Sequence, residues 1–478
     1  MTTPKIIAVD LDGTVTLTDT LHESVIALVR DKPLMLFLLP LWLMKGVAYI
    51  KLKVAENSVL DVTTLPYNLA LIEWLREQKV QGKKIVLCTA ANERTAQAVS
   101  KHLNLFDDVI ASDEYVNLKS GNKCHVLKDR YGNKGYDYAG NSSSDIEVWA
   151  SASQAIVVNA SERLQAKAAE VASISQIFRS ERSPISDGLR ALRLHQWLKN
   201  TLLFVPLLAA HQLGNIQSLA GLAIAFLSFS ATASAAYIIN DLLDLESDRS
   251  HPRKKHRPFA SAKLPVVLGV AIVPFLIALS IVLGTIVGTH FLVVLLLYLL
   301  LTLTYSLKLK RMALVDCVTL ATLYTVRIIA GAAAVSVPVS FWLLTFSVFI
   351  FLSLALVKRY AELLVHTQDG KSVARGRGYV VSDAPLLQIL GVSSGYISAL
   401  VIALYVRSEE VVSLYTQPIA IWCVLPLLLF WVSWVWLTAA RNEMHDDPIV
   451  FAVKDKASLL VAALSAVVFV YAATGAKI

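Results

Sequence analysis

The pattern of apolar and polar residues divides the chain into two unlike parts. Before about residue 190, short apolar runs alternate with polar stretches, which predicts the buried strands and amphipathic helices of an α/β protein. After that point, apolar runs of about 20 residues recur, long enough for helices that cross a membrane. We therefore expect a Rossmann-like α/β domain with a small helical cap, followed by an all-α polytopic membrane domain.

Nine segments of the second part are apolar enough to be membrane spans. They lie near residues 197–213, 217–239, 264–285, 289–305, 313–334, 339–357, 386–406, 417–437 and 457–475. The expected domains are residues 1–172, with the cap near residues 20–80, and residues 189–478, joined by a polar linker at 173–188.

Basic residues predict how this protein lies in a membrane. The loops at 241–263, 306–312, 358–385 and 438–456 hold 17 Lys and Arg residues, whereas the opposite loops hold only Arg407. Because cytoplasmic loops are rich in Lys and Arg, we expect a bacterial-type inner membrane protein with its C-terminus outside. The first residues show no secretory signal pattern, so the α/β domain should stay in the cytoplasm.

Composition narrows the class of protein further. The chain of 478 residues is 55% hydrophobic and 17% charged, which favours a bilayer as its environment. Its net charge of +8 is explained by the basic residues beside the spans, so no nucleic acid is expected as a partner. Nothing in the sequence predicts the oligomeric state.

The segment "NDLLDLESD" carries the main candidate chemistry of the membrane domain. Asp241, Asp244 and Asp248 are three and four residues apart, so on a continuing helix they share one face with Asn240 beside them. Mg²⁺ relieves the repulsion of such carboxylates and is typically shared with substrate phosphates. Arg257, further along, is our candidate for binding the phosphate of the donor. The alternative is a solvated charge run whose basic half only fixes the orientation.

Other polar residues lie at the ends of spans or inside them, on the side predicted to be cytoplasmic. Ionisable residues within spans are costly and usually face a cavity, although each could instead be a structural ion pair or a helix-end residue reaching the headgroups. We expect them to contribute to catalysis or to bind phosphate. They are Lys199, Tyr305, Lys308, Asp316, Arg327, Lys358, Arg359, Glu362 and Arg377.

These features resemble the UbiA superfamily of intramembrane prenyltransferases. "NDLLDLESD" fits the NDxxDxxxD motif of that superfamily, whose residues bind Mg²⁺ and a diphosphate, and the resemblance covers about residues 190 to 475. It implies nine helices, a lipid substrate and transferase activity.

The chain departs from the aromatic prenyltransferases of that superfamily after the sixth span. Those enzymes carry a second Asp-rich motif, where this chain has "KRYAELLVHTQDGKSVARGRGY". With "LHQWLKN", this resembles the decaprenyl-phosphate phosphoribosyltransferase branch, which implies transfer of phosphoribosyl from soluble phosphoribosyl pyrophosphate to a polyprenyl phosphate. Two alternatives remain open: an aromatic, 4-hydroxybenzoate-type polyprenyltransferase that uses a prenyl diphosphate, and a membrane scaffold with a decayed phosphatase domain.

In the first part of the chain, polar residues follow apolar strands. "KIIAVDLDGTVT" predicts a strand ending at Asp10 and Asp12, and "KKIVLCTAAN" predicts a second that ends at Thr89. Lys123 follows, and "GYDYAGNSSSDIEVW" predicts a strand and turn with Asn141 and Asp145. Carboxylates at the carboxyl ends of parallel strands lie where α/β folds build their sites.

This order resembles the four motifs of the haloacid dehalogenase (HAD) superfamily, which are mostly phosphatases. The resemblance implies that Asp10 attacks phosphorus and Asp12 acts as general acid and base. Thr89 and Lys123 would hold the phosphoryl oxygens. Mg²⁺ would be bound by Asp10, Asp12, Asn141 and Asp145, although Asn141 replaces the usual acidic residue.

The run at residues 33–50, "PLMLFLLPLWLMKGVAYI", lies where this superfamily places its cap. It is short for a span, and crossing the bilayer would separate the strand of Asp10 from its sheet. We predict a pair of cap helices that dips into the headgroup layer, or alternatively a buried cap core. The fusion of this phosphatase-like domain to the transferase, together with its apolar cap, suggests that the domain removes the 5-phosphate from the lipid product.

Overall fold

The computed structural model describes residues 6–113, 117–179, 183–212, 214–368, 378–444 and 447–475. The chain forms two compact units. The first unit comprises Met1–Leu192 together with Tyr237–Val273, and the second comprises Arg193–Ala236 and Pro274–Ile478. The aspartate motif therefore belongs to the same unit as the α/β domain, although the sequence places it in the membrane domain.

A six-stranded parallel sheet forms the centre of the first unit. In space its strands follow the order β3-β2-β1-β4-β5-β6. The pairs β1–β2 and β1–β4 place Val9 opposite Leu87 and Ala139, respectively. Because the order reverses beside β1, a crevice opens there at the carboxyl ends of the strands. The strands are β1 (Ile6–Val9), β2 (Lys84–Asn92), β3 (Asp108–Ser112), β4 (Asp137–Gly140), β5 (Gln154–Val158) and β6 (Ser173–Phe178).

The last strand corrects the predicted domain boundary. Ser173–Phe178, which the sequence assigns to a linker, pairs in parallel with β5, with one register shift at Ser175. Only Ile174 and Phe178 of its sequence "SISQIF" are partly buried, because an edge strand covers the core with one face only. The polar composition of residues 173–188 therefore led to the prediction of a linker where an edge strand begins.

Nine helices flank this sheet or form its cap. They are α1 (Thr20–Asp31), α2 (Leu39–Met44), α3 (Val47–Asn57), α4 (Leu69–Val80), α5 (Glu93–Leu103), α6 (Gly121–Tyr131), α7 (Ile146–Ser151), α8 (Glu162–Val171) and α9 (Pro184–Leu192), with 3-10 turns at Pro33–Leu38, Val62–Thr64 and Ser143–Asp145. The predicted cap extends too far, because Leu71 and Leu75 of α4 are fully buried in the core of the sheet.

The apolar run of the cap is not a buried core. The turn Pro33–Leu38 and helix α2 contain no buried residue. Leu34, Phe37 and Met44 are each at least three-quarters exposed, at 80%, 75% and 84%. This excludes the buried-core alternative and leaves the interfacial interpretation as a prediction.

The remaining helices carry the apolar part of the chain. They are α10 (Val205–Ala209), α11 (Ile216–Leu243), α12 (Leu245–Arg249), α13 (Val266–Val287), α14 (Thr289–Leu307), α15 (Val315–Val335), α16 (Phe341–Gln368), α17 (Ala384–Tyr405), α18 (Glu409–Leu414), α19 (Val424–Ala440), α20 (Pro448–Lys454) and α21 (Lys456–Thr474), with 3-10 turns at Leu194–Phe204, Lys254–His256, Leu309–Arg311, Val381–Asp383 and Pro418–Cys423.

Within the described residues, eight helices are long and apolar enough to cross a membrane. They correspond to the predicted spans from the second to the ninth. The first predicted span is instead a 3-10 helix, Leu194–Phe204, followed by the short helix α10. Pro206 lies at the start of α10 and lacks the N–H that a continuous α-helix needs, so the segment divides near this position.

Candidate functional site

The first polar site lies where β1, β2 and β4 end. The backbone N–H of Asp10 donates to the carbonyl of Ala139 at 2.9 Å, which brings the loop after β1 beside Asn141. Gly13 has a φ of +75°, and a Cβ there would lie 2.0 Å from the Asn141 amide nitrogen. Only glycine permits this approach.

Lys123 is the centre of the ionic network in this cleft. The side chain is 3% exposed and comes from the first turn of α6. Its amine lies 3.0 Å from Asp10 Oδ1 and donates to the Tyr138 hydroxyl at 2.8 Å. Tyr138 in turn donates to Asp145 Oδ1 at 2.9 Å. A buried cation therefore faces the predicted nucleophile.

The two aspartates of the first motif have perturbed protonation. Burial raises the pKa of Asp10 to about 6, despite the opposing effect of Lys123. Burial, followed by repulsion from Asp19, raises the pKa of Asp12 to about 7, although the N–H of Thr20 donates to its Oδ1 at 2.8 Å. A carboxyl group that titrates near neutral pH can both give and take a proton, as the predicted role of Asp12 requires.

The two other predicted residues have more local contacts. The hydroxyl of Thr89 is fully buried and accepts from the N–H of Ala91 at 3.0 Å. Asp145 Oδ2 accepts from the N–H groups of Asn141 and Ser142, at 3.1 and 2.9 Å. Both carboxylate oxygens of Asp145 are therefore engaged by protein donors, and the residue fixes the turn that presents Asn141.

The donors in the cleft fit a hard divalent cation. Asp10, Asp12 and Asn141 line one cavity and offer carboxylate and amide oxygens, which Mg²⁺ prefers. Burial raises the pKa of both carboxyl groups, so a cation bound beside them would stabilise their charged forms. The described residues contain no group of three or more His, Cys, Asp or Glu arranged as a metal site, so water and substrate would complete the ligand set.

The aspartate motif forms a second acidic site in the same unit. Helix α11 ends at Leu243 and Asp244 begins the short helix α12, so the predicted continuous helix is interrupted. Asp241 and Asp248 nevertheless converge, because Arg257 Nη1 donates to both, at 3.1 and 2.5 Å. Arg257, which the sequence assigns to donor phosphate, here pairs with the motif itself.

The convergence of two buried carboxylates also fits a cation. Asp241 and Asp248 are each 2% exposed. Burial raises the pKa of Asp248 to about 6, and Arg257 offsets this effect in part. A divalent cation with oxygen ligands would compete with the guanidinium for these carboxylates. Asn240 and Asp244 belong to the same turn of chain.

In the second unit, two predicted lysines share one carboxylate. The amines of Lys199 and Lys358 donate to Asp447 Oδ2 at 2.8 and 2.9 Å. Burial alone would raise the pKa of Asp447, but the two lysines together hold it well below its usual range. Two cations against one anion leave a positive charge that can attract a phosphate.

Other predicted residues of this unit are engaged with one another. Arg359 is 1% exposed and pairs with Asp316, which is fully buried and also accepts from the Tyr379 hydroxyl. The remaining guanidinium nitrogens donate to Glu362 at 2.6 Å and to the Tyr305 hydroxyl at 3.1 Å. This network holds α14, α15 and α16 together, which gives the residues a positioning role.

Arg327 and Lys308 differ sharply in burial. Arg327 is 4% exposed and donates to Asn200, to the Leu323 carbonyl and to Tyr298. Its guanidinium is thus engaged inside the helical bundle. Lys308 is exposed at the end of α14. Arg377 lies outside the described residues.

Sequence reasoning missed the partners of these residues. Asp447, Asn200, Tyr379 and Tyr138 each complete a network. Asn200, Tyr379 and Tyr138 lie in the quoted segments "LHQWLKN", "KRYAELLVHTQDGKSVARGRGY" and "GYDYAGNSSSDIEVW", but the prediction favoured the charged residues beside them. Asp447 left a different signal, since Asp before Pro is typical of a helix start, and its side chain accepts from the N–H of Ile449.

Comparison with known proteins identifies the membrane part of the chain. Residues 201–454, more than half of the chain, match the UbiA prenyltransferase family. The chain belongs to this family. An uncharacterized protein of Sinorhizobium fredii, y4nM, is 36% identical over 467 residues, which is 97% of this chain and 90% of that protein.

Two further relatives cover shorter stretches. Nodulation protein NoeC of Azorhizobium caulinodans is 38% identical over 280 residues, 58% of this chain and 90% of that protein. Decaprenyl-phosphate phosphoribosyltransferase of Corynebacterium glutamicum is 37% identical over 196 residues, 40% of this chain and 59% of that protein. Among solved structures, a phosphoserine phosphatase in apo form aligns with 37% of this chain and 94% of its own, at 16% identity and a TM-score of 0.28.

Proposed function

We propose that this protein transfers phosphoribosyl from phosphoribosyl pyrophosphate to a polyprenyl phosphate. The observation that carries the proposal is the 37% identity with a decaprenyl-phosphate phosphoribosyltransferase over 196 residues. An oxygen of the lipid phosphate would bond to C1 of the ribose, and the C1–O bond to diphosphate would break. The donor is therefore soluble and the acceptor is a membrane lipid.

The two groups of charged residues suit the two anions of this reaction. The carboxylates of Asp241 and Asp248, with Asn240 and Asp244 beside them, would hold Mg²⁺, which when bound neutralises the charge of a diphosphate leaving group. Arg257, displaced from its carboxylates, would bind a phosphate of the donor. The pair Lys199 and Lys358 supplies positive charge for a second phosphate.

The α/β domain is proposed to be a phosphatase that removes the 5-phosphate from the lipid product. Asp10 would attack phosphorus while Asp12 gives a proton to the departing ribose oxygen. Water would then cleave the aspartyl phosphate as Asp12 takes its proton, which releases inorganic phosphate and restores the enzyme. Lys123 stabilises the phosphoryl oxygens, and Asp10 and Asn141 would hold Mg²⁺, whose charge assists the same oxygens.

The protein is further proposed to lie with its charged loops in the cytoplasm of a bacterial inner membrane. The segment Tyr237–Val273, which includes the loop between α11 and α13, belongs to the unit of the α/β domain. This supports a placement of both on one side of the bilayer, and the excess of Lys and Arg in this loop favours the cytoplasmic side.

A donor comparison tests the transferase. Purified protein in nanodiscs is incubated with decaprenyl phosphate and labelled phosphoribosyl pyrophosphate, or with 4-hydroxybenzoate and labelled geranylgeranyl diphosphate. We expect label in lipid only from the first mixture, and only with Mg²⁺ present. Label from the second mixture alone would instead establish an aromatic prenyltransferase, and label from neither would favour a scaffold.

The phosphatase is tested in the first mixture. Inorganic phosphate should be released as the lipid product forms, at a rate abolished by Asp10→Asn. Lipid product that accumulates with its 5-phosphate intact would overturn this part of the proposal while leaving the transferase unaffected.

A further inference from the structure

The cavity above Asp10 is lined by residues of two kinds. It measures about 660 Å³, within the usual range for ligand sites. Asp10, Asp12 and Lys123 supply the phosphoryl chemistry. The lining also includes a set of apolar residues, here called the apolar wall, although polar residues such as Thr20 and Lys51 lie between some of them in the chain. The set is Leu17, Leu21, Val47, Val54, Ala262, Pro265 and Val266.

Three of these apolar residues come from the transferase part of the sequence. Ala262, Pro265 and Val266 lie within residues 201–454, the region that matches the UbiA family, yet they line the cavity of the α/β domain. Val266 is the first residue of α13, whose apolar window has a mean hydropathy of 3.0. Val267 and Val270, which follow on this helix, are about half exposed. The apolar wall is therefore continuous with a membrane span.

Arg249 fixes this wall to the cap helix. Its two terminal nitrogens donate to both carboxylate oxygens of Glu23 in α1, at 2.6 and 3.1 Å. Its Nε donates to the carbonyl of Ala260 at 2.9 Å, two residues before Ala262. Glu23 is 3% exposed and also accepts from Thr18, which lines the cavity. One buried guanidinium thus joins the cap, the aspartate motif and the apolar wall.

The backbone of the wall is held in an uncommon conformation. Ala262 has a φ of +54°, in the left-handed region that residues with a side chain seldom adopt, and is 6% exposed. The loop is fixed by the N–H of Leu264, which donates to the Pro258 carbonyl at 3.1 Å. Phe259 packs against Gly269, where a Cβ would approach its ring to 2.8 Å. Such a position persists only where the surroundings impose it.

We propose that the phosphatase site is composite: Ala262, Pro265 and Val266 bind the hydrocarbon chain of a lipid-linked phosphomonoester whose phosphate lies at Asp10 and Lys123. The inference rests on the proposed phosphatase activity toward the lipid product and adds the residues that bind the hydrocarbon chain of that substrate. An apolar wall that leads onto a span suits a ligand that stays anchored in the bilayer, because contact of its hydrocarbon chain with apolar side chains is favourable. Arg249 is the positioning residue for this wall.

Two substrates that share one phosphomonoester test the proposal. Ribose 5-phosphate and a synthetic farnesyl-phosphoribose 5-phosphate are offered to the full chain in nanodiscs, and kcat/KM is measured for each. We expect the lipid-linked substrate to exceed ribose 5-phosphate by at least about tenfold. Equal values for the two substrates would overturn the composite site alone. No Asp10-dependent hydrolysis of either would overturn the phosphatase as well.

Two matched variants locate the contact. Val266→Thr keeps the shape of the side chain but replaces a methyl group with a hydroxyl. It should lower the ratio of kcat/KM for the lipid-linked substrate to kcat/KM for ribose 5-phosphate about fivefold. Val267→Thr makes the same change one residue away, outside the cavity, and should leave the ratio at its wild-type value. Equal ratios in the two variants would contradict the assignment of Val266.

Arg249 is tested by a split between kinetic constants. Arg249→Met should raise KM for the lipid-linked substrate about tenfold with a small change in kcat, because the wall loses its anchor while Asp10 keeps its partners. Arg249→Lys, which retains a charge for Glu23, should recover part of this loss. A fall in kcat for both substrates, with no recovery by Lys, would show a merely structural role.

Discussion

The two acidic sites of the first unit both place a basic side chain against buried aspartates, but they hold it differently. At the cleft, Lys123 is 3% exposed and is fixed by Asp10 and Tyr138. At the aspartate motif, Arg257 follows a 3-10 turn, and its side chain is 26% exposed. A fixed lysine suits a site where a phosphoryl group is attacked, whereas a more accessible arginine suits a site that exchanges one cation for another.

The difference also concerns where each network ends. The cleft network runs from Lys123 on α6 through Tyr138 on β4 to Asp145 in the 3-10 turn after β4. The motif is tied by Arg249 to Glu23 and by Glu246 to Arg30, both on the cap helix α1. The cleft network therefore links the sheet to α6 and the turn after β4, while the aspartate motif is joined to the cap by ion pairs.

The largest expected effect comes from removing the central aspartate of each site. Asp10→Asn should lower phosphate release by about 10³-fold or more, since the amide is a far weaker nucleophile, and should leave transfer unchanged. Asp241→Asn should do the reverse when phosphate release is measured on a preformed lipid-linked 5-phosphate, because transfer no longer supplies that substrate. Each variant is the control for the other when both activities are measured on the same preparation. Loss of both activities in either variant would contradict two separate sites.

Lys123→Met should lower phosphate release by about 10²- to 10³-fold, because the cation that faces Asp10 and the phosphoryl oxygens is lost. Lys119→Met is the matched control: Lys119 lines the same cavity but is exposed, and its loss should cost less than about fivefold. A similar loss in both variants would show that Lys123 acts only through the net positive charge of the cavity. Steady-state phosphate release measures the two effects.

Arg257→Met should raise KM for phosphoribosyl pyrophosphate about tenfold, since a charge-assisted contact with donor phosphate is lost. Arg257→Lys should recover less than half of this loss, because a lysine cannot bond two acceptors in a fixed plane. An unchanged KM in Arg257→Met, with a lower free energy of unfolding, would show that Arg257 serves only to neutralise Asp241 and Asp248.

Local patterns predicted much of this structure, and long-range pairing accounts for most of what they missed. The strand before Asp10, the existence of the strand that contains Thr89, and eight of the nine spans follow from apolar periodicity and length alone, although that second strand continues to Asn92. The pairing of Arg249 with Glu23 joins positions 226 residues apart, and no local pattern encodes such a contact. The strand Ser173–Phe178 escaped because an edge strand needs only one apolar face.

Charged residues in the spans show the same limit. The sequence predicts that Asp316 and Arg359 bind substrate, with a structural ion pair as the alternative. In the structure the two residues form a buried pair between two helices, which no local pattern encodes. A contact of either residue with substrate stays a prediction.

Asn141 offers the smallest effect and the most direct test of the metal site in the cleft. Asn141→Asp adds a negative charge beside Asp10, so the Mg²⁺ concentration for half-maximal phosphate release should fall about three- to tenfold. Asn122→Asp is the matched control, because it adds the same charge at an exposed position on α6 that does not line the cavity. Calorimetric titration with Mg²⁺ gives a second readout that does not depend on turnover. If both variants respond equally, the change reflects the general field of the domain; if only Asn141→Asp responds, the amide at position 141 is a ligand that limits metal affinity.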